Sequence, residues 1–323
     1  MAQATSREER SDRGRQADSP GEIPRRGWRD IAWRVKDELS RDQLSIISAG
    51  VAFYTLLAVF PAMIAGVALY GLAFDPQQVA RHVEALAIVL PPDAAKVLFG
   101  QLADLTARDR TAMGIGAIVG VVLALWTGSL GIRTLMQALN IAYGEQERRG
   151  YLRFYATALV LTLGSMVGFV IAVGMVVAVP AILNLLGLEG VLGGLIRYTR
   201  WPVLGLMMML WLALIYRFAP SREHARWRWV SWGAAIATVL WLIGSAGFSL
   251  YVTHFGNYNE TYGSMGAGAI LLTWMLLTAY AILLGAEINS EMERQTARDT
   301  TTGMPEPIGQ RGAYAADTVG ESR

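Results

Sequence analysis

MGAGAILLTWMLLTAYAILLGA, residues 265–286, runs for twenty-two residues without one formal charge. A bilayer core about 30 Å thick is crossed by about 20 mostly apolar helical residues, and a helix is the one single-segment structure that satisfies its own backbone there. The stretch is therefore read as a membrane span. Five others meet the same test, at about 46–72, 112–132, 154–180, 201–219 and 229–252, and each contains the Gly or Pro that membrane helices tolerate. The expected fold is all-α: a polytopic bundle of six transmembrane helices.

Composition agrees. Of 323 residues, 53% are hydrophobic and 17% charged, with a mean hydropathy of +0.35; soluble domains carry about 25% charged residues. The absence of cysteine excludes disulfides and thiolate-held metals. No cofactor is expected.

The arginines and lysines give an orientation. The N-terminal segment and the connections or tails at 128–153, 217–228 and after Glu287 hold 22 of the 28, while the alternate connections hold six. Positive charge favours the cytoplasmic side, which predicts both termini in the cytoplasm and an even number of spans. Residues 1–27 and 294–323 are polar, charged and without apolar periodicity, so they are expected to be disordered tails around a membrane domain at 28–293. Within that domain, Trp28, Ile31, Val35 and Leu39 form one helical stripe. It fits either a helix lying on the membrane surface or one docked on the bundle. The long connection 75–110 is expected to form two short amphipathic helices on the outer face.

A charge in a span is expensive, so polar residues near the spans are the candidate site. Arg133, Gln137 and Asn140 follow helical spacing after Trp126 and either line a cytoplasm-facing cavity for an anionic group or serve snorkelling and helix capping. Arg217 and Glu287 close spans four and six. Glu287 is expected to pair with Arg217 or Arg133, or else to carry a proton or cation. In the first span, Pro61 predicts a kink, with Tyr54 and Thr55 before it, serving either packing or gating. Gly164 and Gly168 read as a close helix contact. On the outer side, HFGNYNETYG (254–263) is either a plain hairpin or a gate, with Tyr258, Asn259, Tyr262, Gly263 and Gly266 as its candidate hinge residues.

The three histidines, His82, His224 and His254, fall on opposite sides of the expected membrane and cannot share one metal. No G-x-x-x-x-G-K-[ST] loop is present, and no cluster suited to hydrolysis stands out. Basic loops beside a membrane meet anionic headgroups more readily than nucleic acid, so membrane lipids are the expected partners.

SAGVAFYTLLAVFP (48–61), LWTGSLGIRTLMQALNIAYG (125–144) and NYNETYGSMGAGAILLTWMLLTAYAILLGAEIN (257–289) together resemble the YihY/BrkB family of bacterial inner-membrane proteins, over about residues 28–293. The resemblance implies a six-helix inner-membrane bundle without a catalytic site; the family's former ribonuclease BN label is regarded as mistaken. It also implies an association with the cell envelope and with lipid or lipopolysaccharide precursors. Tyr54, Pro61, Trp126, Asn140, Tyr143, Tyr258, Tyr262, Gly263 and Glu287 are the matched positions that carry functional weight. The expectation is a non-enzymatic, transporter- or flippase-like protein for an anionic amphiphile. The alternative is a scaffold that docks other envelope proteins.

Overall fold

The computed structural model describes residues 13–73, 122–185, 191–255 and 264–322. Among them the chain is all-helical, apart from one isolated antiparallel bridge between Ala225 and Thr301. The helices are α1 (Arg25–Arg41), α2 (Leu44–Ala73), α3 (Leu130–Ala142), α4 (Tyr151–Leu185), α5 (Val191–Phe218), α6 (Trp227–Phe255), α7 (Ser264–Glu293) and the short α8 (Tyr314–Asp317).

Among the described residues three stretches are long and apolar enough to cross a membrane: Tyr151–Ala172, Trp227–Thr253 and Gly268–Glu293. A fourth arises if α1 and the start of α2 form one broken span, bent by 64°. Pro202–Phe218 is apolar but shorter. The bend falls at Asp42–Gln43, where Gln43 takes a left-handed φ of 49°. Helix α2 continues through Pro61, where the sequence had predicted the kink. The expected helices at 75–110 and most of the span at 112–132 lie outside the described residues.

The described chain divides into two compact units, one with residues 13–53 and 133–322, the other with 54–73 and 122–132. In the smaller unit two helical segments meet at small residues. A Cβ added to Gly131 would come within 3.0 Å of Thr55 Cα, and one on Gly128 within 3.1 Å of Ala62 Cα. That spacing permits close backbone approach.

In the larger unit α4 packs on α5, α5 on α6, α6 on α7, and α7 on α1. Lipid tails are as apolar as leucine, so burial alone cannot hold such shafts together. Polar links between helices help instead: Trp211 Nε1 donates to Ser165 Oγ (3.0 Å), Trp241 Nε1 to Thr278 Oγ1 (3.1 Å) and Trp274 Nε1 to Ser245 Oγ (3.3 Å). Other hydroxyls, such as Thr162 and Thr238, donate back to the carbonyl one turn earlier. Gly285 lets α7 close on its neighbours, because a Cβ there would collide with the Tyr216 hydroxyl and Ala237. Gly164 and Gly168 meet nothing within 4 Å among the described residues, so the small-residue pattern makes no close contact with any of these helices.

The apolar stripe of α1 faces protein. Ile31 and Val35 join Ala17, Ile23, Trp229 and Met292 in one buried cluster, with Trp28, Leu39, Leu284 and Ile288 around it. The segments expected to be disordered, 13–27 and 294–322, are instead laid over this end of the unit. Arg15 donates to the carbonyls of Arg294, Gln295 and Gly320, and Arg34 to that of Glu321. Arg311 binds the carbonyls of Ala297, Arg298, Glu306 and Ala316. Charged side chains here act as donors to chain that has no helix or sheet to satisfy it, which is why a composition typical of disorder becomes ordered.

Candidate functional site

The end of α3 sets the first part of the site. Gly144, with φ +66°, stops the helix in a Schellman arrangement, in which Gly144 N–H reaches the carbonyl of Ile141 (2.8 Å) and Glu145 N–H that of Asn140 (2.7 Å). The chain then turns back into α4. Asn140 is buried at the turn, donating to Glu147 (3.0 Å) and accepting from the backbone of Ser221 (2.7 Å). It joins two connections and does not share an open face with Gln137, which is exposed. Arg133, in the first turn of α3 and the first residue of this segment of the larger unit, has its guanidinium 5.0 Å from the Tyr155 ring centre, and Tyr155 hydrogen-bonds Tyr151 (3.0 Å).

The second part is built where α4 begins, α5 ends and α6 begins. Arg149 donates to the carbonyls of Phe218 (3.5 Å) and Ala219 (2.8 Å), covering the C-terminal end of α5 while Glu147 neutralises it. Beside it, Arg217 lies over two rings, 4.7 Å from that of Trp227 and 5.6 Å from that of Phe218, and donates to the carbonyl of Ala225. Its Nε is buried without a hydrogen-bond partner, and no carboxylate pairs with it among the described residues. His224 packs edge-on against Phe218 at 5.1 Å, its Nδ1 buried and unpartnered. Burial holds this imidazole below its ordinary range, and the charges of Arg217 and Arg153 press it further down.

Glu287 is 2% exposed and belongs to none of the ion pairs. The pairing expected with Arg217 or Arg133 is therefore replaced. The carboxyls that surround Glu287 are Asp42 and Glu38, brought by α1 and the bend after it, and Glu291, one turn further along α7 itself. One Glu287 oxygen has no hydrogen-bond partner. Asp42 is held above the usual carboxylate range by burial first, with the Glu38 charge adding to it. The cations nearby serve other acids: Arg34 and Arg294 both bind Glu291.

The remaining expected positions scatter. Tyr54 is exposed on α2 and Pro61 is half-buried in the same helix, both within the smaller unit. Gly266 is buried in the first turn of α7. Tyr258, Asn259, Tyr262 and Gly263 lie outside the described residues. Among the described residues no group of three or more His, Cys, Asp or Glu is placed to hold a metal ion. Sequence reasoning passed over Asn289, which is buried on α7 and links three partners: it accepts from Gly233 N–H (2.9 Å) and faces Tyr143 Oη (3.3 Å) and the Val230 carbonyl (3.4 Å). It also passed over His224, whose basic surroundings read as an ordinary membrane-side loop.

A family model described as virulence factor BrkB matches residues 35–308, across the whole of this helix-end assembly and most of the chain. The chain belongs to the BrkB family. Its BrkB-family relatives include the ribonuclease-like protein YfkH of Bacillus subtilis, 30% identical over 77% of this chain and 90% of the relative. A UPF0761 membrane protein of Photobacterium profundum is 28% identical over 83% and 82% of the two chains, and one of Pseudoalteromonas translucida 26% identical over 80% and 84%. No solved structure matches the chain significantly. The BrkB family assignment agrees with the three motifs, and the names of these relatives together with the apolar helices make this a membrane protein.

Proposed function

We propose that the protein moves an anionic amphiphile of the cell envelope, a lipid or a lipopolysaccharide precursor, through the cytoplasmic membrane. In this reading the chain crosses six times and keeps both termini on the cytoplasmic side, with the basic helix ends at the inner surface. One observation carries the reading: Arg217 sits at the end of an apolar helix, cushioned on Trp227 and Phe218, with no carboxylate among the described residues paired to it. A cation in that position favours an anion, and aromatic faces beside it suit the apolar boundary of a headgroup. Arg133 over Tyr155 repeats the pairing of cation and ring.

The test is translocation of a labelled anionic lipid across vesicles containing the purified protein. Arg217→Ala and Arg133→Ala should each slow it by about tenfold, the equivalent of losing one charge-assisted contact of about 1.4 kcal/mol. Translocation that is absent from the wild type, or equal in wild type and both variants, would overturn the reading.

A further inference from the structure

We propose that Arg217, His224 and Arg153 form a recognition site for a doubly charged phosphate headgroup, a phosphomonoester or pyrophosphate, in preference to a phosphodiester. The inference rests on the reading that an anionic amphiphile is handled here, and it names the chemistry of the headgroup.

The argument begins with which charges are already answered. Around this helix junction Glu147 is taken by Arg149 and Asn140, and Glu293 by Arg222. Arg226 donates to the Thr301 carbonyl. Among the described residues Arg217 and Arg153 form no ion pair, and the carboxylate whose charge acts most on His224 is Glu223. Two positive charges and an imidazole thus have the exposed carboxylate of Glu223 beside them. Burial first, and then the charges of Arg217 and Arg153, hold the imidazole below its ordinary range.

Geometry sets these groups toward one place. The bonds from Arg149 to Phe218 and Ala219 fix the start of α4 beside the end of α5, and Arg153 stands in the first turn of α4, with its charge reaching His224. Phe218 is the shared wall, with His224 against it at 5.1 Å, Trp227 at 6.4 Å and the Arg217 guanidinium at 5.6 Å. Two buried nitrogens at this wall, Arg217 Nε and His224 Nδ1, have no hydrogen-bond partner. Buried polar atoms without partners are uncommon in folded proteins and each calls for an explanation. A phosphate oxygen supplies the acceptor that the guanidinium and, once protonated, the imidazole require.

The preference for two charges follows. A phosphodiester brings one negative charge, which one arginine neutralises. A phosphomonoester or pyrophosphate brings about two, which both arginines and a protonated His224 answer together. Tyr151 and Trp227 stand exposed at the starts of α4 and α6, where rings mark the boundary between headgroups and acyl chains.

The experiment uses the full-length protein in phosphatidylcholine nanodiscs, with phosphatidate or phosphatidylglycerol added and binding followed by tryptophan fluorescence or native mass spectrometry. Phosphatidate should bind about tenfold more tightly than phosphatidylglycerol, a difference of about 1.4 kcal/mol. Arg153→Gln, an exposed position that leaves the fold intact, and His224→Gln should each remove most of that preference with an unchanged melting temperature. Arg217→Gln, which removes the charge together with the guanidinium, should do the same. Equal affinity for the two lipids in the wild type would overturn the site, as would a preference untouched by all three variants. Displacement of phosphatidate by millimolar inorganic phosphate would support the phosphate chemistry and assign its source to a soluble phosphate. Headgroup preference without translocation would keep this site and remove the transport reading; translocation without headgroup preference would do the reverse.

Discussion

The helix-end cap and the helix shafts of the larger unit obey opposite rules. In the shafts the outward side chains are apolar, with Phe169 70% and Ile243 66% exposed. Polar links between helices there are single tryptophan hydrogen bonds, while other hydroxyls turn back on their own backbone. In the cap, charged and polar side chains lie buried: Arg222 and Glu293 are 2% and 0% exposed, and Gln295, Thr296 and Thr300 are equally hidden. The apolar exterior of the shafts is what lipid solvates, and the polar interior of the cap is held by bonds that span the sequence from Arg13 to Glu321. Specific side-chain energy is thus concentrated in the cap, and mutation should reveal the difference.

The largest effect is expected at the buried pair. Glu293 accepts from Arg222 at 2.6 and 3.1 Å and from Thr300 at 2.7 Å, while Arg222 lies 5.0 Å from the Tyr143 ring. Arg222→Ala leaves a buried carboxylate alone, which costs about 3–5 kcal/mol. Chemical unfolding in detergent should register it, and the double change Arg222→Met with Glu293→Leu should recover most of the loss. A loss below about 1 kcal/mol for Arg222→Ala would mean that the cap is as loosely held as the shafts.

A smaller effect separates two glycines on different helices. Gly285→Ala drives a methyl into Tyr216 and Ala237 and should cost about 1–3 kcal/mol, whereas Gly164→Ala meets nothing within 4 Å and should be neutral or slightly stabilising. Similar melting temperatures for the two variants would break the distinction between contact and open face. Smaller again is Ser165→Ala, which removes the bond from Trp211 and should cost about 0.6 kcal/mol, the usual scale for such links in a membrane.

How much of this the sequence announced depends on the kind of force involved. Shafts such as Tyr151–Ala172 and Gly268–Glu293 are legible because length and apolarity are local properties. The cap is not, since the bond from Arg15 to the Gly320 carbonyl joins residues 305 apart and leaves no periodicity. Glu287 was expected beside an arginine because both close spans; the left-handed Gln43 turns the chain after α1, near whose end Glu38 and Asp42 lie, and no pattern marks such a bend. Arg217 was legible as a cation out of place. His224 was not, because one histidine in a basic loop looks like any membrane-side loop until Phe218 and Arg217 are seen around it.

The smallest effect isolates the electrostatic part of the cap by pH. Burial tends to raise the Glu147 carboxyl, but hydrogen bonds from the Arg149 side chain and backbone and from Asn140 outweigh it and bring it to about 2. The folded value lies below the unfolded one, so the ionised form is the one that folding favours. Its contribution is complete above the unfolded value of about 4.5 and disappears as pH falls through about 2. Because the carboxylate is partly open to solvent the effect is modest, and it should appear as a shape rather than a size. Melting curves of wild type and Glu147→Gln should differ by a constant amount from pH 7 down to about 5 and converge toward about 2. A gap that stays constant from about pH 5 down to about 2 would mean that Glu147 acts through packing. Ser165→Ala gives the control: a hydroxyl bonded to an indole has nothing to titrate, so its gap from wild type should be flat across the same range.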